Sequence, residues 1–315
     1  MKKSIALVAL AFGVTNAFAQ DLTSKKGEPF LPEAGDYGIS VDATPFLNYA
    51  GNFFGKSANN TAPTWNFLNG NNTIVGKYFK DANTAYRLGL RLGFGSTTTK
   101  SMVDNRGDDP AAGSYPDAQT MVENKWKSGK TNVGITVGLE KRRGKTRLQG
   151  IYGADLGIWV GNSRDKFTYG NALVVNSTSA TAPNVAVTGA DAFAGANNVV
   201  ANPGIVGMDA GTSARITDRK NGLTFSVGVR AFIGAEYFVA PKLSIGGEFG
   251  WGLGFSMTGA TKTTYESTGV SNGATQNSVG TTEIKGGKSS SFGLDTDNKN
   301  GVFGPSAALR LNFHF

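Results

Sequence analysis

The side chains best suited to chemistry are few in this chain and poorly placed for it. Its 315 residues include one histidine, the penultimate residue His314, and no cysteine. A catalytic triad or an Asp/His pair needs an imidazole beside its partners, whereas His314 falls on the inward face of the last strand, far from the long loops. Lack of cysteine removes thiol nucleophiles, disulfides and thiolate metal sites. Asp104, Asp108 and Asp109 are close enough in sequence to raise a loop calcium site, but their spacing matches no EF-hand, and a solvated loop is the expectation. The glycines between Gly246 and Gly254 alternate along a strand and precede no helix, so they are spacers, not a dinucleotide or phosphate loop. No catalytic, cofactor-binding or metal-binding residue is expected, and the chain reads as a non-enzyme.

The informative constellation is a set of charges: Asp42, Arg87, Arg91, Arg147, Asp155, Arg230, Glu236, Glu248 and Arg310, with Lys77 and Glu140 beside them. Each falls on the narrow, Gly-rich face of an alternating segment. Both signs occur in similar number. In an interior only wide enough for side chains, each unpaired charge would cost several kcal/mol, so pairing is close to compulsory.

The elements that must position these charges are long strands. From Leu223 to Phe255 two alternating runs flank a turn at Pro241, one face carrying Val, Ile, Leu, Phe, Trp and Tyr and the other Gly, Ser, Arg and Glu. Period two means strand. Each run is long enough to cross a bilayer, which takes about 9 to 11 tilted residues. A water-soluble barrel would hide its apolar face inside; here the charges share the crowded face, as in a transmembrane β-barrel. Placing Arg87 or Arg91 toward lipid would cost roughly 2 to 4 kcal/mol each near the midplane.

Along the chain, residues 1–19 read as a secretory signal: Lys2 and Lys3, an apolar run from Ile5 to Val14, and a small-x-small site at Ala17 to Ala19, with cleavage near Ala19. Residues 20–36 read as a polar periplasmic tail and 37–315 as the barrel. Strand one starts at Tyr37 and is expected to continue through Pro45 to Tyr49, and strand two covers residues 73–79. Strand three centres on Leu88 to Phe94, strand four on Val133 to Leu139, strand five on Leu148 to Ile158, and strand eight on Ala307 to Phe315. The count is eight. Short turns near 81, 143 and 240 alternate with long segments at 50–72, 96–130, 161–221 and 256–300, the asymmetry of short periplasmic turns and four long extracellular loops. The basic turn from Lys141 to Thr146 is expected to be solvated. Formal net charge is +8, spread over loops rather than gathered into a patch, which argues against nucleic acid.

The signal segment, the eight amphipathic strands and the terminal LRLNFHF together resemble the small eight-stranded outer-membrane proteins of Gram-negative bacteria, the OmpA/OmpX-like group, without a peptidoglycan-binding domain. The resemblance implies the cell outer membrane as location, outer-membrane lipid and lipopolysaccharide as surroundings, and recognition of the last strand, through Phe313 and Phe315, by the barrel-assembly machinery. The function expected is structural, with surface interaction through the loops. The alternatives are a porin-like channel for small solutes, or a subunit of a larger outer-membrane complex with another protein as partner. Seam closure of strand one on strand eight brings Asp42 to the level of Arg310.

Overall fold

The structure, a computed structural model, describes residues 22–56, 60, 74–107, 120–175, 185–201, 203–205, 212–271, 277–295 and 307–315. The signal segment 1–19 and the carboxylates Asp108 and Asp109 lie outside these residues. The fold is all-β and antiparallel, with thirteen strands in one sheet. They are β1 (Tyr37–Asp42), β2 (Ile74–Asp81), β3 (Thr84–Asp104), β4 (Met121–Arg143), β5 (Leu148–Thr168), β6 (Val199–Ala201), β7 (Ser213–Lys220), β8 (Thr224–Ala240), β9 (Leu243–Thr258), β10 (Lys262–Ser271), β11 (Asn277–Lys285), β12 (Ser289–Asp295) and β13 (Ala307–His314). Among the described residues no helix is long and apolar enough to cross a membrane.

Eight of the strands close a ring: β1-β2-β3-β4-β5-β8-β9-β13 and back to β1, an arrangement compatible with a β-barrel. Side chains alternate around it. On β3, Tyr86, Leu88, Leu90, Leu92 and Phe94 are exposed while Arg87 and Arg91 are buried; on β8, Val229 and Ile233 are exposed while Arg230, Phe232 and Glu236 are buried.

Thirteen strands replace the expected eight because the wall is bent at three points and because two segments expected as loops supply strands of their own, β11–β12 and β6. β7 and β8 are both antiparallel to β5, run in the same direction, and are separated only by residues 221–223. In the same way β9 leads into β10 across residues 259–261 and β11 into β12 across 286–288, each pair pairing onward with the matching halves of its neighbour. All three breaks contain glycine. At the first two the backbones touch: a Cβ on Gly222 would fall 1.8 Å from the Gly259 carbonyl oxygen, a contact only glycine permits. β6, pairing with β7, is an additional short strand.

The long segments read as loops are largely sheet. β3 and β4 stay paired without a register shift out to Asp104 and Met121, and β5 stays paired to β4 out to Thr168, so 96–104 and 121–130 belong to an upward extension of the wall. Thr, Ser, Lys and Asn occupy both of its faces, which erases the apolar alternation that reveals strands in the lower ring. Strand one also ends early. Residues Thr44–Phe54 form helix α1, with Pro45 in its first turn, where the missing N–H costs nothing; within a ladder the same proline would delete a hydrogen bond.

Candidate functional site

The candidate site is the charged interior of the ring. Its centre is Arg87 on β3. Its guanidinium reaches Glu248 of β9 at 3.1 Å, Asp155 of β5 at 3.4 Å and Glu140 of β4 at 3.5 Å, and lies 4.0 Å over the Phe232 ring of β8. Three carboxylates on three strands thus converge on one planar cation, which its fork geometry suits. Arg230 pairs with Glu248 and lies 3.8 Å from Asp155, Arg310 of β13 lies 3.6 Å from Glu248, and Lys77 of β2 lies 2.9 Å from Glu140.

A second node, toward the short turns, is Glu236. Its Oε1 accepts from the Ser244 hydroxyl and from Asn312 Nδ2 at 3.0 Å, and lies 3.1 Å from His314 Nε2; its Oε2 accepts from Arg142. Arg142 also reaches Glu140 at 3.0 Å, joining the two nodes. Its guanidinium carbon stands 4.9 Å over the Phe79 ring, and His314 sits between Phe79, which it meets edge-on, and Phe238, to which it is tilted, with centroids 5.3 and 5.4 Å away. Phe79 and Phe238 have no exposed surface. Polar cluster and aromatic layer together fill the turn-side interior.

Among the charges expected inside, the structure brings together Arg87, Asp155, Arg230, Glu236, Glu248 and Arg310. Asp42 is directly opposite Arg310 on the β1–β13 seam, and Arg91 is buried on the same inward face of β3. Arg147 takes another place. It lies at the turn end, its guanidinium carbon 3.6 Å over the ring of Phe30, because residues 22–36 do not trail away as a tail but fold across this end. Phe30 is buried, Lys242 donates to its carbonyl, Asp36 pairs with Lys242, and Gly35 N–H donates to the Phe79 carbonyl. The basic turn is corrected as well: Arg142 is 4% exposed and belongs to the interior, while Arg143 and Lys145 are exposed. Strand parity carries the clue, since Glu140 inward makes Arg142 inward.

Glycines facing inward do not leave the interior hollow. A Cβ on Gly134 or Gly157 would fall 2.3 or 1.8 Å from the Trp159 indole, so that ring lies flat across both strands.

The loop end holds a cluster that sequence reasoning missed. Phe167, Phe193, Ala196 and Ile216 form a core, with Trp126, Tyr169, Val200 and Tyr265 against it. Buried Asp191 caps the 3-10 turn Gly189–Asp191 and pairs with Arg106 at 2.7 Å and Arg215 at 3.4 Å. Arg215 also reaches Glu266 at 3.0 Å and lies 4.2 Å over the Tyr169 ring. Tyr169 donates to the Ile216 carbonyl and accepts from Asn198. Burial pushes the Tyr169 phenol up to about 12, against the opposing pull of Asn198 and Arg215. The legible signal was Thr188-Gly189-Ala190-Asp191, a capping-box spacing.

Phe313 and Phe315 are exposed on the outer face of the closing strand, and Phe315 exchanges backbone hydrogen bonds with Tyr37. Among the described residues no cluster of three or more His, Asp or Glu is placed to hold a metal ion. Models of known protein families, curated proteins and solved structures alike give no match to this chain.

Proposed function

We propose that the chain is an eight-stranded transmembrane β-barrel of the bacterial outer membrane, a non-enzymatic scaffold with a sealed interior that presents its loop-end sheet for interaction at the cell surface. One observation carries the reading: the two faces of the ring are inverted relative to a soluble barrel. Large apolar side chains stand exposed outside, among them Leu88, Ile135, Leu156, Val229, Phe249 and Phe313, while the charged side chains of the same strands are buried and paired inside. Water gives no reason to expose the first set or bury the second; a bilayer gives both. In this reading the chain is an OmpA/OmpX-like barrel exported by the signal segment 1–19. Phe313 and Phe315 form the assembly signal, and lipid and lipopolysaccharide surround the outer face.

The sealed interior separates this scaffold from a channel. Phe30 and residues 22–36 cover the turn end, the Phe79/Phe238/His314 layer and the Arg87 cluster fill the bore, and the core around Phe193 sits beyond it. The test has two parts. Folding into vesicles, read by heat-modifiable gel mobility, should survive Gly247→Ala and be impaired by Leu90→Arg, at a cost of about 2 to 4 kcal/mol if Leu90 faces hydrocarbon. The folded protein in planar bilayers should give no stable unitary conductance. A reproducible ion-selective current altered by Arg230→Gln or Glu248→Gln would replace the scaffold with the channel.

A further inference from the structure

The outer face of the wall above the three bends has a feature that sealing and bracing leave unused. Arg164 on β5 is opposite Lys220 on β7, Lys220 is opposite Lys262 on β10, and Lys262 is opposite Lys285 on β11. Four cations therefore occupy one register row on four neighbouring strands. On the β4 side the row continues to Gly129, opposite Arg164, where a Cβ would have nothing nearer than 3.9 Å. Like charges set directly opposite one another destabilise a sheet. Two carboxylates offset the row in part: Asp218 lies 2.7 Å from Arg164 and 3.6 Å from Lys220, and Glu283 lies 3.7 Å from Lys262. About half of each of the Arg164, Lys220 and Lys262 side chains remains exposed, at 52%, 50% and 48%.

The row sits just above the apolar band. On β5 it is four positions beyond outward-facing Val160, roughly 13 Å along a strand; on the neighbouring strands a bend and one further residue separate it from Phe225 and Met257, and Leu223 lies in the first bend itself, all three exposed. Four cations far apart in the sequence are thus brought by strand pairing into one line at the upper border of the apolar surface.

We propose that this row binds the phosphate groups of an anionic lipid in the outer leaflet, whose acyl chains lie on the apolar band beneath. The inference rests on the membrane-barrel reading. A bilayer that covers Val160 and Phe225 sets its headgroups at the height of the row, where Lys and Arg attract anionic lipid. The Lys220, Lys262 and Lys285 ammonium groups suit phosphate as point charges, while Arg164, whose fork is held by both carboxylate oxygens of Asp218, adds its positive charge and its remaining N–H donors. Gly129 leaves room for a headgroup beside Arg164.

The full chain is inserted into phosphatidylcholine vesicles doped with diphosphorylated lipid A or with its dephosphorylated form, and lipid retained after mild detergent extraction is counted by native mass spectrometry. Lys220→Gln/Lys262→Gln/Lys285→Gln is compared with a control that removes the same charge at the turn end, Lys80→Gln/Arg143→Gln/Lys145→Gln. The wild type and the control should retain the phosphorylated lipid in preference, and the row variant should lose about fivefold or more of it. Equal retention by row variant and control overturns the proposal, as does a wild type indifferent to the phosphates. Displacement of lipid A by inorganic phosphate alone would also overturn it, marking a site for free anions. Heat-modifiable mobility in undoped vesicles reports insertion separately: insertion without lipid preference sinks this inference only, and failure to insert sinks the barrel reading with it.

Discussion

Asp42 and Arg310 stand directly opposite each other where the first strand of the ring meets the last, in a register that runs unbroken from Gly38 opposite His314. Arg310 is also 3.6 Å from Glu248 on the other side of β13, so this guanidinium links the seam to the central cluster. The two charges should therefore couple. In a double-mutant cycle with Asp42→Asn and Arg310→Gln, unfolding in urea should give a coupling energy of about 0.5 to 3 kcal/mol. Independent effects of the two changes would mean that the seam is held by its backbone ladder alone.

Glu236 should be the most costly carboxylate to neutralise. It accepts from Arg142, Ser244 and Asn312 and lies beside His314, with no exposed surface. Removing one partner of a buried ion pair typically costs about 3 to 5 kcal/mol, because the other charge is stranded. Glu236→Gln is nearly isosteric, so its loss of stability reports charge rather than packing. Glu123→Gln, which breaks the exposed 2.8 Å pair with Lys100, should cost less than about 1 kcal/mol. Similar denaturation midpoints for the two variants would mean that the buried charge network does not stabilise the ring.

The loop-end core should loosen at alkaline pH. Burial raises the Tyr169 phenol from the ordinary 10.0 to about 12. The neutral phenol is thus favoured in the folded state. The stability it contributes is complete below pH about 10, where the unfolded phenol begins to ionise, and is lost as pH rises to about 12. Absorbance titration should show one late phenolate that disappears in Tyr169→Phe, and protease cleavage within 185–220 should rise over the same window. That variant should also lose about 1 to 2 kcal/mol, since Asn198 and the Ile216 carbonyl each lose a partner. Uniform titration of all tyrosines near 10 would contradict this.

The ring was legible because its two faces are chemically opposite and strand period is two. Once Arg87 is inward, Arg91 follows, and Tyr86 to Phe94 must be outward; the same parity places Arg230, Glu236 and Glu248. Parity was not followed to its end at Arg142, two residues past Glu140, and could not foresee that Arg147 would meet Phe30 at the turn end. The upper wall was not legible for a physical reason: away from the small core around Phe167, both of its faces meet solvent or polar neighbours, so Thr97 and Lys127 carry no alternation to read. The bends at Gly222, Gly259 and Gly286 were hidden as well, since glycine is frequent throughout the chain. Long-range pairing such as Arg106 with Asp191 depends on how segments far apart in sequence return to one place, which local pattern does not encode.

The two ends of the ring should face opposite compartments, and one pair of substitutions decides which. Thr281 is exposed on β11, beyond the bends, and Lys145 is exposed in the short turn before β5. The chain has no cysteine, so Thr281→Cys and Lys145→Cys each introduce a single thiol without competing reactivity. Neither position has a side chain in the buried clusters, so both variants should fold as the parent does, checked by heat-modifiable mobility. In the barrel reading, short turns lie in the periplasm and the extended wall lies outside. A membrane-impermeant maleimide on intact cells should therefore label the thiol at position 281 and leave that at 145 untouched until the outer membrane is opened. Labelling at 145 alone would invert the orientation. Labelling of both on intact cells would mean that the ring does not divide the two ends between compartments, and the transmembrane reading would fall with it.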